Sequence, residues 1–346
     1  MTMMVPETLA ILDEAAEELA RRDFGVFLRY VKVLEAEDQE RGAGHVIEFQ
    51  QWDHLKALNA ELKEHRLVVL LKARMIGISW DLAAYVLWTA QYRHGVYVPL
   101  FSQGEPEAIK LLEKVRFIRS ELPERLQEAL GVDSRTEMSF PRMLSSIQAL
   151  PSTAKAGRST SATLAIMDEA DFHEYLEPNY YALKPGIDKS RGQLVMVSTP
   201  NPESQSTLFK EIWRGAPGNG FRALYYPWNV VPGRDQAWYD QVKREYPSRE
   251  KFEKEYSSSA AGALAPPSTL SAFDTPSLNA MQEDCRDPVE TINSFTHIWN
   301  RWYTGKRYIA FTDTSHGVGR DDSVTIVMDT GTGCVVADVH SNTLEP

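Results

Sequence analysis

Apolar residues recur along this chain with two different periods. From Pro6 to Leu34, the residues Leu9, Leu12, Ala16, Leu19, Phe24, Phe27, Leu28 and Val31 keep helical spacing, which predicts an N-terminal helical lead-in; the polar stretch Glu35 to Gly44 then reads as a loop. Beyond Ile47 short continuous apolar runs take over: Leu67 to Leu71, Gly95 to Ser102, a brief strand near Ile147, Leu164 to Met167 and Leu194 to Val197. Such runs suit strands buried on both faces of a parallel sheet. Between them Ser79 to Ala90 reads as an apolar helix and Glu105 to Leu122 as a long amphipathic one. The expected architecture is a helical lead-in over 1–46 and a parallel α/β core over 47–204.

The pattern changes again after the core. An aromatic strand, Phe221 to Trp228, precedes two charged helices, Ala237 to Tyr246 and Arg249 to Tyr256, which together read as a lid or linker subdomain over 205–256. Ser257 to Leu270 is rich in Ser, Ala and Pro and opens a hinge expected over 257–306. Tyr308 to Asp313, a glycine-bearing turn at Gly317 to Asp322, and the strands Ser323 to Met328 and Cys334 to Val339 then form a β-meander over 307–346.

Composition narrows the class. A chain of 346 residues asks for more than one core, and 43% hydrophobic with 25% charged residues is ordinary for a globular enzyme. A net charge of −11 argues against a protein that coats nucleic acid, and leaves only local basic patches such as Arg21-Arg22 or the Lys114 to Arg119 neighbourhood. Cys285 and Cys334 are too few and too far apart for a disulfide framework or a zinc site, and fit a reducing cytosol. No signal-peptide pattern is visible, and the longest apolar stretch, Leu82 to Ala90, is about half of what a membrane span needs, so no membrane partner is expected.

The chemistry concentrates at strand ends. Lys72-Ala73-Arg74-Met75-Ile76-Gly77-Ile78-Ser79 overlies the phosphate-loop pattern G-x-x-x-x-G-K-[S/T], with Gly77 and Ser79 in register, Ile78 in the usual lysine slot and Lys72 in that of the first glycine. A strand entering a helix through a tight loop aims backbone N–H groups and the positive helix end at a phosphate, and Ser79 would offer a hydroxyl to Mg²⁺. In Leu164 to Asp171 an apolar strand ends in adjacent acids: Asp168 suits Mg²⁺, and Glu169 suits orienting or deprotonating an attacking water. Ser198-Thr199-Pro200 closes a third strand, placing hydroxyls where ligands of doubly wound sheets bind. Asp313 ends the first strand of the meander, as a carboxylate does at the start of an RNase H-like nuclease.

Taken in this order, the loop, the acid pair, Ser198-Thr199-Pro200, the hinge and Tyr308 to Asp313 resemble the large terminase subunit of tailed bacteriophages, whose phosphate loops are known for a lysine moved to the front. The resemblance implies a P-loop NTPase fold of the RecA/ASCE-like kind with a helical lid, followed by an RNase H-like β-meander. It implies an ATP-driven, Mg²⁺-dependent motor that moves double-stranded DNA into procapsids from the cytoplasm of an infected bacterial host. The implied partners are the portal protein, a small terminase subunit and further copies of the chain in a ring on the portal.

Residue by residue, the adenine-contacting glutamine falls on Gln50 or Gln51 in Phe49-Gln50-Gln51-Trp52, and the phosphate contacts on Lys72, Ala73, Arg74, Met75, Ile76, Gly77, Ile78 and Ser79. Arg74 matches the catalytic arginine that terminases often keep inside the phosphate loop, Arg158, about ten residues before the acid pair, an arginine finger acting across a subunit boundary, and Thr199 the motif that couples hydrolysis to movement. Asp313 with Asp321 or Asp322 matches the first nuclease carboxylates, which in a complete domain hold two divalent metal ions. The remaining carboxylates lie further downstream in that family, so the nuclease part is expected to be truncated at Pro346 and this polypeptide not to cut DNA. Two other readings compete: a DEAD-box-like helicase ATPase suggested by Asp168-Glu169-Ala170-Asp171, and a non-enzymatic portal-docking protein whose loop lost its lysine at Ile78.

Overall fold

The helical lead-in stops sooner than its apolar spacing suggests. In the computed structural model, which describes residues 6–34, 45–151, 153, 161–204, 206–265, 281, 285–314 and 322–341, helix α1 covers Pro6–Arg22 and a short α2 covers Phe24–Phe27. The Asp23 carboxylate restarts the chain between them by accepting the Val26 amide at 3.0 Å. Lys32–Leu34 is a strand, β1, because it finds an antiparallel partner in β2 (Val46–Glu48); pairing overrides the helical spacing there. The loop expected over Glu35 to Gly44 lies outside the described residues.

Helix α3 (Asp53–Glu64) leads into β3 (Leu67–Lys72) and α4 (Ile78–Tyr92), then β4 (Tyr97–Phe101), α5 (Glu105–Glu121), β5 (Glu137–Phe140), β6 (Ser145–Ala149) and β7 (Leu164–Asp168). Next come α6 (Leu176–Ser190), β8 (Gln193–Ser198), α7 (Leu208–Gly215), β9 (Arg222–Tyr226), α8 (Gln236–Glu245), α9 (Arg249–Glu255) and α10 (Ala260–Leu264). Seven strands form one sheet in the order β5-β6-β4-β7-β8-β3-β9, parallel throughout except for β5 against β6. The continuous apolar runs are explained by burial on both faces. Val68 and Leu70 of β3 join the core under α3, α4 and α5, whereas Val69 and Leu71 join the core under α6, α7 and α10.

Register places the chemistry. Leu71 lies opposite Ser198 and Val197 opposite Asp168, so Lys72, Thr199 and Glu169 leave three adjacent strands at one carboxyl edge, with β8 between β3 and β7. The aromatic strand read as part of a separate lid is instead β9, the outer strand of this sheet beside β3. The described part of the Ser257 to Leu270 stretch is not a free linker either. Ser259 caps α10 by accepting the Gly262 amide at 3.1 Å, Lys254 donates to the Ala263 carbonyl at 2.9 Å, and Ala263 and Leu264 are buried; small residues let this turn pack closely.

Residues 1–270 form one compact unit and 271–346 another. The second holds an antiparallel sheet, β10-β11-β14-β13-β12, built from β10 (Glu290–Ile292), β11 (Thr296–Ile298), β12 (Tyr308–Asp313), β13 (Ser323–Asp329) and β14 (Val335–Ser341). The expected meander is present, and a hairpin from the stretch read as hinge extends it. Its three-residue strands are too short to show alternation. Among the described residues no helix is long and apolar enough to cross a membrane.

One buried acid sits behind the site. Asp81, in the first turn of α4, has no solvent exposure and accepts one bond from Asn59 Nδ2 at 3.1 Å, leaving Asp81 Oδ2 and Asn59 Oδ1 both buried without a partner. Burial pushes its carboxyl up to about 7, outweighing the roughly 0.3–1 kcal/mol a helix N-terminus gives an anion. A proton on Oδ2 donating to Asn59 Oδ1 would satisfy both orphans. Because the folded-state pKa lies above the unfolded one, Asp81 contributes stability that is full below about pH 4 and is lost as pH rises toward 7. Asp81→Asn, which can donate to Asn59 at any pH, should be more stable than the wild type by about 1–3 kcal/mol at pH 8. Chemical denaturation should show that advantage vanish near pH 4.

Candidate active site

The loop from β3 to α4 is held from outside at almost every carbonyl. The Ala73 amide donates to Tyr226 O at 2.9 Å, Arg234 donates to Arg74 O at 3.2 Å and Met75 O at 2.8 Å, and the His54 Nε2 donates to Ile76 O at 2.8 Å. Met75 and Gly77 take left-handed φ of 58° and 83°. The Arg74 amide is likewise given outward, to Glu255 O at 2.9 Å, so the loop amides that can turn toward a phosphate are those from Met75 onward. Gly77 has a second reason to be glycine: a Cβ there would lie 3.3 Å from the Trp52 ring.

Across the sheet edge the acid pair meets the loop. Lys72, only 6% exposed, donates to Glu169 Oε1 at 3.0 Å, and Glu169 Oε2 accepts the Thr199 amide at 3.2 Å, the Thr199 hydroxyl at 3.3 Å and the Ser198 hydroxyl at 3.5 Å. Glu169 itself has φ 50°, and its amide donates to Asp168 Oδ1 at 3.1 Å. Ser79 donates to Asp168 Oδ2 at 3.2 Å. Three strand ends and the start of α4 therefore converge on two carboxylates.

Burial and charge pull these groups apart. Burial, and then the negative charge of Glu169, raise the Asp168 carboxyl above its usual range, against Lys72, Lys114 and the Ser79 hydroxyl. Burial also acts to raise Glu169, but the Lys72 charge and its hydrogen bond, with the Thr199 bonds, overcome it and hold that carboxyl below the usual range. His173 donates from Nε2 to the Asp168 carbonyl at 2.8 Å, and burial lowers it to about 4, so a neutral imidazole braces the strand end. Asp171 serves structure: it accepts the Asn201 amide at 2.5 Å, is bonded by Thr207 and pairs with Lys210 at 3.4 Å, tying the end of β7 to the segment after β8.

Lys72, Gly77, Ser79, Asp168, Glu169, Ser198 and Thr199 are thus brought to one edge of the sheet. Arg74 points elsewhere, pairing with Glu255 of α9 at 2.9 Å. Gln50 is exposed and donates to Glu48 O at 3.3 Å, while Gln51 is half-buried next to the Trp52 that touches Gly77. Arg158 and Asp321 lie outside the described residues. Asp313 is exposed at the end of β12, Asp322 pairs with His340 at 2.7 Å, and among the described residues no three His, Cys, Asp or Glu side chains gather as a metal cluster. His54, Arg234 and Tyr226 hold the loop without belonging to any motif, and only their packing reveals them.

No protein-family profile matches the chain. Among solved structures, the crystal structure of the HK97 bacteriophage large terminase aligns with 93% of this chain and 67% of its own, at 15% identity and a TM-score of 0.55. The ATPase domain of the Thermus phage P74-26 large terminase aligns with 56% of this chain and 87% of that one, at 17% identity and a TM-score of 0.44. The large terminase of a thermophilic bacteriophage in complex with ADP aligns over 81% and 64%, at 10% identity and a TM-score of 0.47. The HK97 likeness establishes a shared fold, and the α/β sheet with its strand-to-helix loop after β3 is the one expected from the sequence.

Removing the lysine isolates the ion pair. Lys72→Met should lower stability at pH 8 by about 2 kcal/mol, below the 3–5 of a fully buried pair because Glu169 keeps some solvent. In wild type the depressed carboxyl stabilises above its unfolded pKa; without Lys72 burial raises it, so the deficit should shrink as pH falls through the raised value and the acid is protonated. Thermal melts of both proteins between pH 4 and 8 measure this.

Proposed function

We propose that this chain is the ATP-hydrolysing motor subunit of a DNA-packaging machine of the large-terminase type. One observation carries the reading: Glu169 is suspended between Lys72 and Thr199, one residue from the Asp168 that Ser79 reaches. Lys72 replaces the lysine missing at Ile78, since its ammonium reaches the acid pair from the front of the loop. Ser79 and the buried Asp168, set beside the charge of Glu169, fit Mg²⁺, an ion that takes one or two protein oxygens and leaves its other positions to water and phosphate. When bound there, the ion supplies neutralisation of phosphate charge.

The protein's own groups supply the rest. Phosphates entering the loop compete for Lys72, and a Lys72 that turns to them releases Glu169 Oε1. The freed carboxylate loses the partner that depressed it, becomes more basic and can orient and deprotonate water. Thr199, bonded to the other carboxylate oxygen, carries any shift of Glu169 to the end of β8, which fits a coupling role. Arg158 is proposed to complete a neighbouring subunit's site, and Gln50 or Gln51 to meet the base. Double-stranded DNA, the portal protein, a small terminase subunit and a ring of copies belong to the same proposal, as does Asp313 as the first carboxylate of an RNase H-like nuclease.

The purified chain should hydrolyse ATP, faster with double-stranded DNA present. Glu169→Gln should lose about 10²–10⁴-fold in turnover while ATP affinity stays within about threefold, because the base is removed and the phosphate contacts are kept. Wild-type turnover in Glu169→Gln, or turnover insensitive to DNA, would contradict the motor reading.

A further inference from the structure

Lys114 belongs to α5, outside every motif that builds the site. Its Nζ stands over the Trp80 ring, 5.6 Å from the centroid, and Trp80 in turn meets Phe117 of the same helix edge-on at 5.8 Å. Trp80 directly follows Ser79, so the aromatic contact fixes the middle of α5 against the first turn of α4, where Ser79 reaches Asp168.

The ammonium there is half-buried and, among the described residues, has no carboxylate within ion-pair distance. The neighbouring cations differ. Lys110 pairs with Glu107 at 3.7 Å and Lys72 with Glu169 at 3.0 Å. The charges that act on Lys114 are those of the site: Asp168 and Glu169 favour its proton, Lys72 and Lys110 oppose it, and burial, the largest influence, leaves the amine below the usual lysine range. A cation withdrawn from water without a counter-ion is costly. A ring face returns only about 0.5–2 kcal/mol, less specific than the charge-assisted bond an anion would add.

We propose that Lys114 is a ligand of the terminal phosphate of a bound nucleoside triphosphate, reaching from α5 past Trp80 to the Ser79–Asp168 edge and favouring triphosphate over diphosphate. The inference rests on the nucleotide-site reading above. Lys72 leads out of β3 on one side of the acid pair and Lys114 comes from α5, so the two cations approach from different elements. A contact confined to the terminal phosphate is absent in the diphosphate, and the lysine then discriminates substrate from product.

Calorimetric affinities of the full chain for ATPγS and ADP, each with Mg²⁺, test this in wild type, Lys114→Met and Lys114→Arg. Lys114→Met should bind ATPγS about tenfold or more weakly while its ADP affinity stays within about twofold, and Lys114→Arg should recover part of the loss. Retained ADP binding shows that the variant is folded. Equal losses for both nucleotides, or none for either, would overturn the proposal, as would unchanged ATPγS affinity with weakened DNA binding. A wild type that binds neither nucleotide would instead overturn the nucleotide reading on which the proposal stands.

Discussion

The structure turns on one carboxylate that is kept charged in a place that disfavours charge. Glu169 leaves β7 in a left-handed conformation, accepts Lys72 from β3 on one oxygen and Thr199 from β8 on the other, and so closes three strand ends into one site. Burial alone would raise this acid, as it raises its neighbour Asp168; the lysine and the threonine reverse the sign. Stability and chemistry therefore depend on the same bonds. On the proposed reading, phosphate competes for this interaction, because the lysine stands at the mouth of the strand-to-helix loop.

Rigidity around that pair comes from farther away. The loop is fastened through its carbonyls to His54 of α3, to Arg234 in the segment before α8, and through an amide to β9. Arg74 extends the fastening to Glu255 of α9. The helices after the sheet are thus bonded to the loop, and a change in the loop has a direct route to them. Asp171 fastens the other side in the same manner, drawing Asn201, Thr207 and Lys210 against the end of β7.

Much of this is legible in the sequence, for a physical reason. Strands buried on both faces announce themselves as unbroken apolar runs, so the order of residues alone locates β3, β7 and β8 and the polar groups at their ends. Lys72 and Glu169 are distant in sequence, yet each sits in a recognisable strand-end pattern. Edges are harder. The aromatic β9 alternates too little to reveal that it flanks β3, and the β10–β11 hairpin is too short to carry a period. Least legible are His54, Arg234, Lys114 and the pairing of Arg74 with Glu255, where a side chain matters because of what tertiary packing brings to it.

On the proposed reading, Lys72 serves Glu169 without nucleotide and phosphate with it. Carbon-13 NMR of the Glu169 side-chain carboxyl, assigned by its absence in Glu169→Gln and titrated with pH, reads this directly. Without nucleotide the carboxyl should titrate below the ordinary glutamate range, and with ATPγS and Mg²⁺ its midpoint should move up as the lysine departs. In Lys72→Met the empty protein should already show the raised midpoint. A depressed midpoint that persists with nucleotide bound, or that survives the loss of Lys72, would contradict the account.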